Sequence, residues 1–212
     1  NILETVKESN KKIKVFNAVS GQIYGNQKKN IYNEKSYIEP QSPYGVSKAS
    51  SFWLTKIFRE WYGIKCCSGI LFNHESPLRS DEFVTKKIIN NCKLIQKGKL
   101  KYLYMGDINI YRDWGWAPEY VEAMYLMLKQ KNPKDLVIGS GKRHSLKNFI
   151  YEVFRLLKIP RKHLKTNTKK FMRKNDIRSY RADPRLAKKI LNWEAKTTFK
   201  KIIYKMVMKQ FY

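Results

Sequence analysis

A largely apolar run at residues 64–72 places the strongest constraint on how this chain folds. The run lies between Gly63 and Asn73 and shows no regular alternation of polar residues, which is typical of a strand covered on both faces of a parallel sheet. A helical pattern ends before it at about Tyr62, and another covers residues 82–97. Because strands that alternate with helices form βαβ units, the sequence predicts an α/β fold with a mainly parallel sheet.

Other segments carry the periodicity of helices or strands. Residues 1–9 are predicted to be the tail of a helix and residues 12–18 a short buried strand. Ser145 is predicted to cap a strongly amphipathic helix, and the polar run 26–41 is predicted to be a surface loop. The remaining predicted elements are strands at 101–105, 111–116 and 136–139 and helices at 118–130, 184–191 and 198–208.

The helix that ends near Tyr62 begins at the stretch Ser42 to Lys48, and Pro43 suits its first turn. Within this stretch Tyr44 and Lys48 are one helical turn apart, so they project from the same face. A nearby ammonium favours the phenolate form of a tyrosine, and such a pair can exchange a proton with a sugar hydroxyl. The alternative is an unrelated pair on a solvated helix face.

The composition is that of a folded protein, with 42% hydrophobic and 14% aromatic residues. No window is long and apolar enough to span a membrane, and the first residues lack the features of a signal peptide. A cytoplasmic location and no membrane partner are therefore expected. The cysteines, Cys66, Cys67 and Cys92, have no zinc-like spacing and are predicted to be reduced thiols in the core.

The chain is strongly basic, with 44 Lys and Arg against 17 Asp and Glu. A net charge of +27 would ordinarily suggest nucleic acid or an anionic surface. The lysines are spread along the chain, however, and no nucleic-acid-binding motif accompanies them. A positive field also attracts a dinucleotide or a sugar nucleotide, so charge alone does not separate these partners. Nucleic acid is therefore not the expected partner.

Several motifs occur in the order found in one enzyme family. They are Tyr44-x-x-x-Lys48, Asn73-His74-Glu75-Ser76-Pro77, Phe83-Val84-Thr85, Arg112-Asp113-Trp114-Gly115 and Tyr120-Val121-Glu122-Ala123-Met124. On these motifs the chain resembles the extended short-chain dehydrogenase/reductases and, among them, the GDP-mannose 4,6-dehydratases. The resemblance implies that residues 1–80 are the C-terminal part of a Rossmann-like parallel sheet. Residues 81–212 would mainly form a small α/β substrate-binding lobe, with some strands interleaved.

The resemblance also implies roles for individual residues. Tyr44 would take the hydroxyl proton when hydride leaves the sugar C4 for NADP, Lys48 would stabilise the phenolate and hold the cofactor ribose, and Ser20 would supply a catalytic hydroxyl. The positions matched to cofactor contacts are Tyr44, Lys48, His74 and Arg79, and those matched to the nucleotide-diphosphate sugar, GDP-mannose in this family, are Asn73, Arg112, Arg173 and Asp176. The alternatives are a hydrogen-bonded loop histidine for His74 and solvated cations for Arg79 and Arg173.

Two departures from the family pattern bear on activity. Gln22 occupies the position of the catalytic glutamate that removes the C5 proton during dehydration, and an amide has no useful basicity at neutral pH. The chain also has no Gly-x-x-Gly-x-x-Gly loop to cradle the dinucleotide phosphates. It is therefore expected to be a form that lacks the N-terminal part, and both departures argue against activity of this chain alone.

Three functional hypotheses follow. The first is a lyase of nucleotide-sugar metabolism that converts GDP-mannose to GDP-4-keto-6-deoxymannose with NADP, a step of GDP-fucose biosynthesis. The second is an epimerase or reductase of nucleotide sugars that does not dehydrate, or a non-catalytic fragment. The third, less favoured, is a basic nucleic-acid-binding protein. A homo-oligomer is expected through the Tyr44 helix, which packs against its two-fold mate in the family and carries Phe52, Leu54 and Phe58.

Overall fold

The computed structural model describes residues 2–27, 30–167, 169 and 178–210. The α-helices of these residues are α1 Ile2–Ser9, α2 Pro43–Tyr62, α3 Val84–Gln96, α4 Ala117–Lys129, α5 Leu146–Leu157, α6 Arg185–Leu191 and α7 Phe199–Met208. The strands are β1 Val15–Ser20, β2 Ile31–Tyr32, β3 Cys66–Leu71, β4 Asn73–Glu75, β5 Leu103–Tyr104, β6 Tyr111–Arg112, β7 Trp114–Trp116, β8 Leu136–Ile138, β9 His144–Ser145, β10 Leu164–Lys165 and β11 Arg181–Ala182.

Strands β1, β3 and β8 form a parallel sheet in that order. Ser20 pairs with Leu71, and Leu71 pairs with Ile138, so the carboxyl ends of the three strands lie side by side. The middle strand, β3, is buried along its whole length, as its apolar sequence predicts. The α/β fold class is therefore confirmed. Ligands of open α/β sheets bind beyond this carboxyl edge.

Helices cover both faces of this sheet. Helix α2 packs against β1 and β3, and its Ala49 and Phe52 join Val19 and Ile70 in one buried cluster. Helices α4 and α6 cover the opposite face, packing on β3 and β8 respectively. Residues of β3 must therefore be apolar on both faces, which explains why its sequence does not alternate.

Helices α3, α5 and α7 build a second core, in which their apolar faces enclose Trp114 and Trp116 of β7. Ser145 caps α5 as predicted, because its Oγ accepts a hydrogen bond from the Asn148 N–H at 3.1 Å. Strand β7 pairs in parallel with β4, which follows β3, and so joins this core to the sheet. Strand β8 lies in the first sheet although it comes late in the chain. The division near residue 80 stays a prediction.

The prediction of a surface loop at residues 26–41 holds for most of the described residues but misses one short strand. Within this segment β2 pairs in parallel with β11. Tyr32 is buried, and its ring stacks on that of Tyr24 with 5.0 Å between their centres. Glu34 Oε1 accepts a hydrogen bond from the Val137 N–H at 2.8 Å. A single buried tyrosine among polar residues gives no periodic signal, because its strand partner is remote in sequence.

The apolar residues of α2 divide between two faces differently from the prediction. Phe52 and Phe58 are buried within the chain itself, at 9% and 8% exposure, so they do not supply an oligomer surface. The exposed fractions are 52% for Leu54, 46% for Trp53 and 74% for Trp61. The helix is thus apolar on both sides, and the side away from the sheet carries Leu54. Among the described residues no helix is both long and apolar enough to cross a membrane.

Candidate active site

The carboxyl end of β1 leads directly into a 3-10 helix at Gly21–Tyr24. Ser20 caps this short helix, because its Oγ accepts a hydrogen bond from the Gln22 N–H at 3.2 Å. A hydroxyl that accepts at a cap still carries its own proton. Ser20 can therefore donate that proton to a ligand oxygen beyond the strand end.

The start of α2 lies against this 3-10 helix. Ser42 caps α2 by accepting from the Gly45 N–H at 3.0 Å, and Pro43 occupies the first turn. The same Ser42 Oγ donates to Gln22 Oε1 at 3.4 Å. A Cβ on Gly45 would lie 3.0 Å from the Gln22 carbonyl oxygen, so glycine permits the close approach. Gln22 is thus held beside the first turn of α2.

Tyr44 and Lys48 lie on one face of α2, as their spacing predicts. Lys48 Nζ lies 5.8 Å from the centre of the Tyr44 ring and donates to the Ala18 carbonyl oxygen of β1 at 2.9 Å. An ammonium has three N–H donors, so this bond leaves others for a ligand. Tyr44 is 51% exposed. The Lys48 side chain thus attaches this face of α2 to β1, two residues before Ser20.

Asn73 and His74 lie in β4, which follows the end of β3. His74 Nδ1 lies 2.9 Å from the Phe72 carbonyl oxygen, and because a carbonyl only accepts, Nδ1 carries the proton and Nε2 is an acceptor. Burial lowers the pKa of His74, and the positive charge of Arg79 lowers it further. The His74 ring also packs on the Tyr120 ring, 4.9 Å away. His74 is therefore a neutral, oriented imidazole.

Arg112 and Asn73 are connected through Tyr180. The Tyr180 hydroxyl donates to Asn73 Oδ1 at 2.5 Å, and the Arg112 guanidinium lies 5.3 Å from the centre of the Tyr180 ring. Arg112 Nη1 also donates to the Tyr111 carbonyl oxygen at 2.9 Å. Sequence reasoning did not identify Tyr180, which lies outside every recognised motif.

Arg79 lies against the buried carboxylate of Glu75. Its Nε is 3.4 Å from Glu75 Oε2, and its guanidinium lies 3.6 Å from the centre of the Phe83 ring. Thr85 Oγ1 donates to the same carboxylate oxygen at 3.0 Å. Arg79 thus fixes the loop after β4 to the start of α3, and its contact with a cofactor stays a prediction.

The burial of Glu75 has a consequence for stability. Burial raises its pKa from 4.5 to about 7, although Arg79 and Thr85 both act to lower it. Between these two pH values the folded chain keeps a proton on Glu75 that the unfolded chain has lost. The free energy of unfolding should therefore fall as the pH rises through this window, by about 3 kcal/mol for this one group.

Urea unfolding at pH values on both sides of this window measures that effect. We expect the unaltered chain to lose stability relative to a Glu75→Gln variant as the pH rises. The exposed Glu60→Gln substitution is the matched control and should show no such difference. A constant difference in stability between the unaltered chain and Glu75→Gln would contradict the raised pKa.

Asp113 is a fully buried carboxylate that fixes the turn after β8. It accepts hydrogen bonds from the N–H groups of Ser140, Gly141 and Ala182 at 2.9, 3.0 and 3.1 Å. The Ser140 hydroxyl donates to it as well, at 2.5 Å. Burial raises the pKa of Asp113 to about 6 against the effect of these donors. The residue next to Arg112 therefore has a structural role, joining β8 to β11.

Two predicted substrate contacts, Arg173 and Asp176, lie outside the described residues. The structure brings Ser20, Gln22, Tyr44 and Lys48 together at the end of β1. It places Asn73, His74 and Arg112 beyond the neighbouring strand β3. Sequence reasoning missed the contact between Ser42 and Gln22, although the Ser-Pro pair that begins α2 was a recognisable capping signal.

This chain resembles known proteins over nearly its whole length. A family model described as GDP-mannose 4,6 dehydratase matches residues 1–206. The chain belongs to the GDP-mannose 4,6-dehydratase family. A relative with that name from Dictyostelium discoideum is 37% identical over 217 residues, which cover 94% of this chain and 61% of the relative. The chain thus spans about three fifths of the length of this curated relative.

Solved structures share the fold of this chain. The chain superimposes on dTDP-glucose 4,6-dehydratase from Bacillus anthracis, in complex with NAD, with a TM-score of 0.87 and 22% identity, covering 98% of this chain and 64% of the other. For RMD from Pseudomonas aeruginosa, complexed with NADPH, the TM-score is 0.89 and the identity is 20%. The match covers 99% of this chain and 70% of the other. Both comparisons support the Rossmann-like architecture.

Proposed function

We propose that this chain is part of an enzyme that oxidises a nucleotide-diphosphate sugar, GDP-mannose, at C4 as the first step of a 4,6-dehydratase reaction. The observation that carries the proposal is the attachment of Lys48 to the Ala18 carbonyl oxygen. This bond holds the Tyr44 and Lys48 pair at the carboxyl edge of a parallel sheet, where such folds bind ligands. Membership of the family supports the choice of substrate.

The residues of this chain would move the proton in that step. Tyr44, with half its surface exposed, would accept the C4 hydroxyl proton as its phenolate. The Lys48 ammonium would stabilise the phenolate charge, since a nearby opposite charge favours the ionised form. Ser20 would donate a hydrogen bond to the sugar oxygen. Family membership supports these roles, and they fit the donors and acceptors described above.

The cofactor in this proposal is NADP. Lys48 fits its ribose, because the ammonium retains donors beyond the one used by Ala18. His74 and Arg79 are the further cofactor residues of the proposal. A bound nicotinamide would accept hydride from the sugar C4. Among the structural neighbours one carries NAD and another NADPH, which supports a nicotinamide cofactor.

The substrate would be held mainly by residues beyond β3. Asn73 and Arg112, linked through Tyr180, would contact the nucleotide-diphosphate sugar. Arg173 and Asp176 would bind its phosphates and ribose hydroxyls, because a guanidinium matches phosphate oxygens and a carboxylate accepts vicinal hydroxyls. A cytoplasmic location remains the expectation for such an enzyme.

A second candidate function is supported by Gln22. Its amide accepts a hydrogen bond from Ser42 but cannot remove the C5 proton that elimination requires. An enzyme with Gln22 would oxidise or reduce at C4 without losing water. Dehydration would then be slow or absent, as in an epimerase or reductase of nucleotide sugars.

The test uses a chimera in which the N-terminal part of the Dictyostelium relative precedes this chain, since the chain spans 61% of that relative. The chimera is incubated with GDP-mannose and NADP. Absorbance follows the reduction of the nicotinamide, and mass spectrometry detects the 4-keto-6-deoxy product. Nicotinamide reduction without product supports the second candidate, and formation of product supports the dehydratase. A folded chimera that gives neither nicotinamide reduction nor product would contradict both candidate functions.

We further propose that the chain associates with a second copy through the outer face of α2. Val46, Leu54 and Trp61 recur on that face at 50%, 52% and 74% exposure. The double substitution Leu54→Glu with Trp61→Glu should convert dimers to monomers in size-exclusion chromatography with light scattering. The matched control places glutamates at Val121 and Tyr125, which are as exposed on α4. Equal masses for both variants would contradict the proposal.

A further inference from the structure

A cavity lies beside the second core, which is built by α3, α5 and α7. It has a volume of about 830 Å³ and is formed by β7, the turn between β8 and β9, one face of α5 and the start of α7. Neither the Tyr44 and Lys48 pair nor Ser20 and Gln22 line it. Volumes of roughly 300–1,000 Å³ are typical of sites for small organic ligands. The cavity is thus large enough for a ligand, and none of the described residues proposed to hold the sugar or the cofactor lines it.

The floor of this cavity is apolar and largely aromatic. Its apolar lining residues are Trp114, Tyr151, Phe154, Ile159 and Phe199. The Phe199 ring is stacked on the His144 ring, 4.0 Å away, and lies 5.7 Å from the Trp114 ring. These contacts fix the aromatic wall in position, so an apolar molecule would meet a preformed surface.

The rim of the cavity carries an excess of positive charge. Its charged side chains are Lys142, Arg155, Arg161, Lys196 and Lys200, with Glu152 as the opposing carboxylate. Glu152 is already paired with Arg155, whose Nη2 and Nε donate to it at 2.7 and 3.0 Å. The remaining cations have no carboxylate in the lining to balance them. An anionic group at the rim would supply that balance.

Polar groups between rim and floor could orient a ligand. Tyr151 and Asn148 line the cavity, and among the described residues neither side chain makes a hydrogen bond to the chain. The Arg161 guanidinium lies 4.2 Å from the centre of the Tyr151 ring, so a cation lies beside this tyrosine. A few polar groups on an otherwise apolar lining are what small-molecule sites use for specificity.

We propose that this cavity binds a small amphipathic anion, an organic molecule with an apolar or aromatic body and a carboxylate, phosphate or sulfonate group. The body occupies the floor formed around Trp114 and Phe199, and the anionic group lies at the rim near Lys196 and Lys200. This binding site is additional to the proposed sugar chemistry and does not depend on it. An inorganic anion alone would leave the apolar floor unfilled and would bind weakly.

The probe for this proposal is anilinonaphthalene sulfonate, which combines an aromatic body with one anionic group. Fluorescence titration of the folded chain should give saturable binding of about one probe per chain. The uncharged analogue N-phenyl-1-naphthylamine should bind at least about tenfold more weakly, since it lacks the group that the cations attract. Absence of saturable binding, or equal affinity for both probes, would overturn the proposal.

Two variants locate the binding. The exposed pair Lys196→Glu with Lys200→Glu should weaken probe binding by about tenfold or more. The control pair Lys11→Glu with Lys12→Glu makes the same change in net charge on an exposed segment that does not line the cavity. It should change the affinity little, because solvent and salt screen distant charges. An equal loss of probe affinity in the two double variants would show a general effect of charge. It would overturn the assignment of the probe to this cavity.

The exposed residue Asn148 allows a steric test. It lies on the cavity wall, so the substitution Asn148→Trp should narrow the cavity and weaken the binding of anilinonaphthalene sulfonate. Circular dichroism and thermal unfolding verify that the variant remains folded. Unchanged affinity in the folded variant would overturn the proposal. If this variant unfolds, the Lys196 and Lys200 pair decides the question.

Discussion

Replacing Tyr44 with phenylalanine should lower the rate of nicotinamide reduction by roughly 10²–10⁴-fold in the chimera with GDP-mannose, the usual effect of losing a general base. Phenylalanine keeps the ring but has no group to accept the C4 hydroxyl proton. The ring is about half exposed, so its hydroxyl contributes little to folding. The loss should therefore appear as a lower rate in a folded protein, measured by stopped-flow absorbance.

The matched control is Tyr125→Phe, which removes a hydroxyl from a similarly exposed tyrosine on α4. Its rate of nicotinamide reduction should equal that of the unaltered chimera. If Tyr44→Phe retained the full rate, another group would take the hydroxyl proton. The bond between Lys48 and the Ala18 carbonyl oxygen would then serve only to attach α2 to the sheet.

The fold could be predicted from the sequence where local pattern and final burial agree. The apolar run of β3 and the capping signal at Ser145 both correspond to observed elements. The pairing of β2 with β11 could not be predicted, because neither strand has a periodic pattern of its own. The sequence also did not show which face of α2 is buried. Phe52 and Leu54 are both apolar, and only the position of the sheet decides which of them is covered.

Part of the arrangement of the candidate site was also predictable from the sequence. The spacing of Tyr44 and Lys48 identified one face of α2, and the structure places that face at the end of β1. No pattern indicated that Arg79 would lie against Glu75, since both residues are simply charged positions in a loop motif. Contacts of this kind depend on how the segment after β4 folds back on α3.

Replacing Gln22 with glutamate should raise the rate of formation of the 4-keto-6-deoxy product by at least about 10²-fold in the same chimera. A carboxylate can remove the C5 proton that the amide cannot. The side chain is already oriented, because Ser42 Oγ donates to Gln22 Oε1 at 3.4 Å, and a carboxylate oxygen would accept the same bond. The rate of nicotinamide reduction should change little, since the proposed function assigns that step to Tyr44.

The comparison between the two steps distinguishes a missing base from a general effect of charge. Gln41→Glu is the matched control, because it adds the same negative charge on an exposed side chain next to Ser42. It should leave product formation unchanged. Oxidation at C4 and elimination require different proton acceptors, so the Gln22 substitution should change the second step alone. Equal product from the Gln22 protein and its glutamate variant would mean that another carboxylate supplies the base, and the role assigned to this position would be wrong.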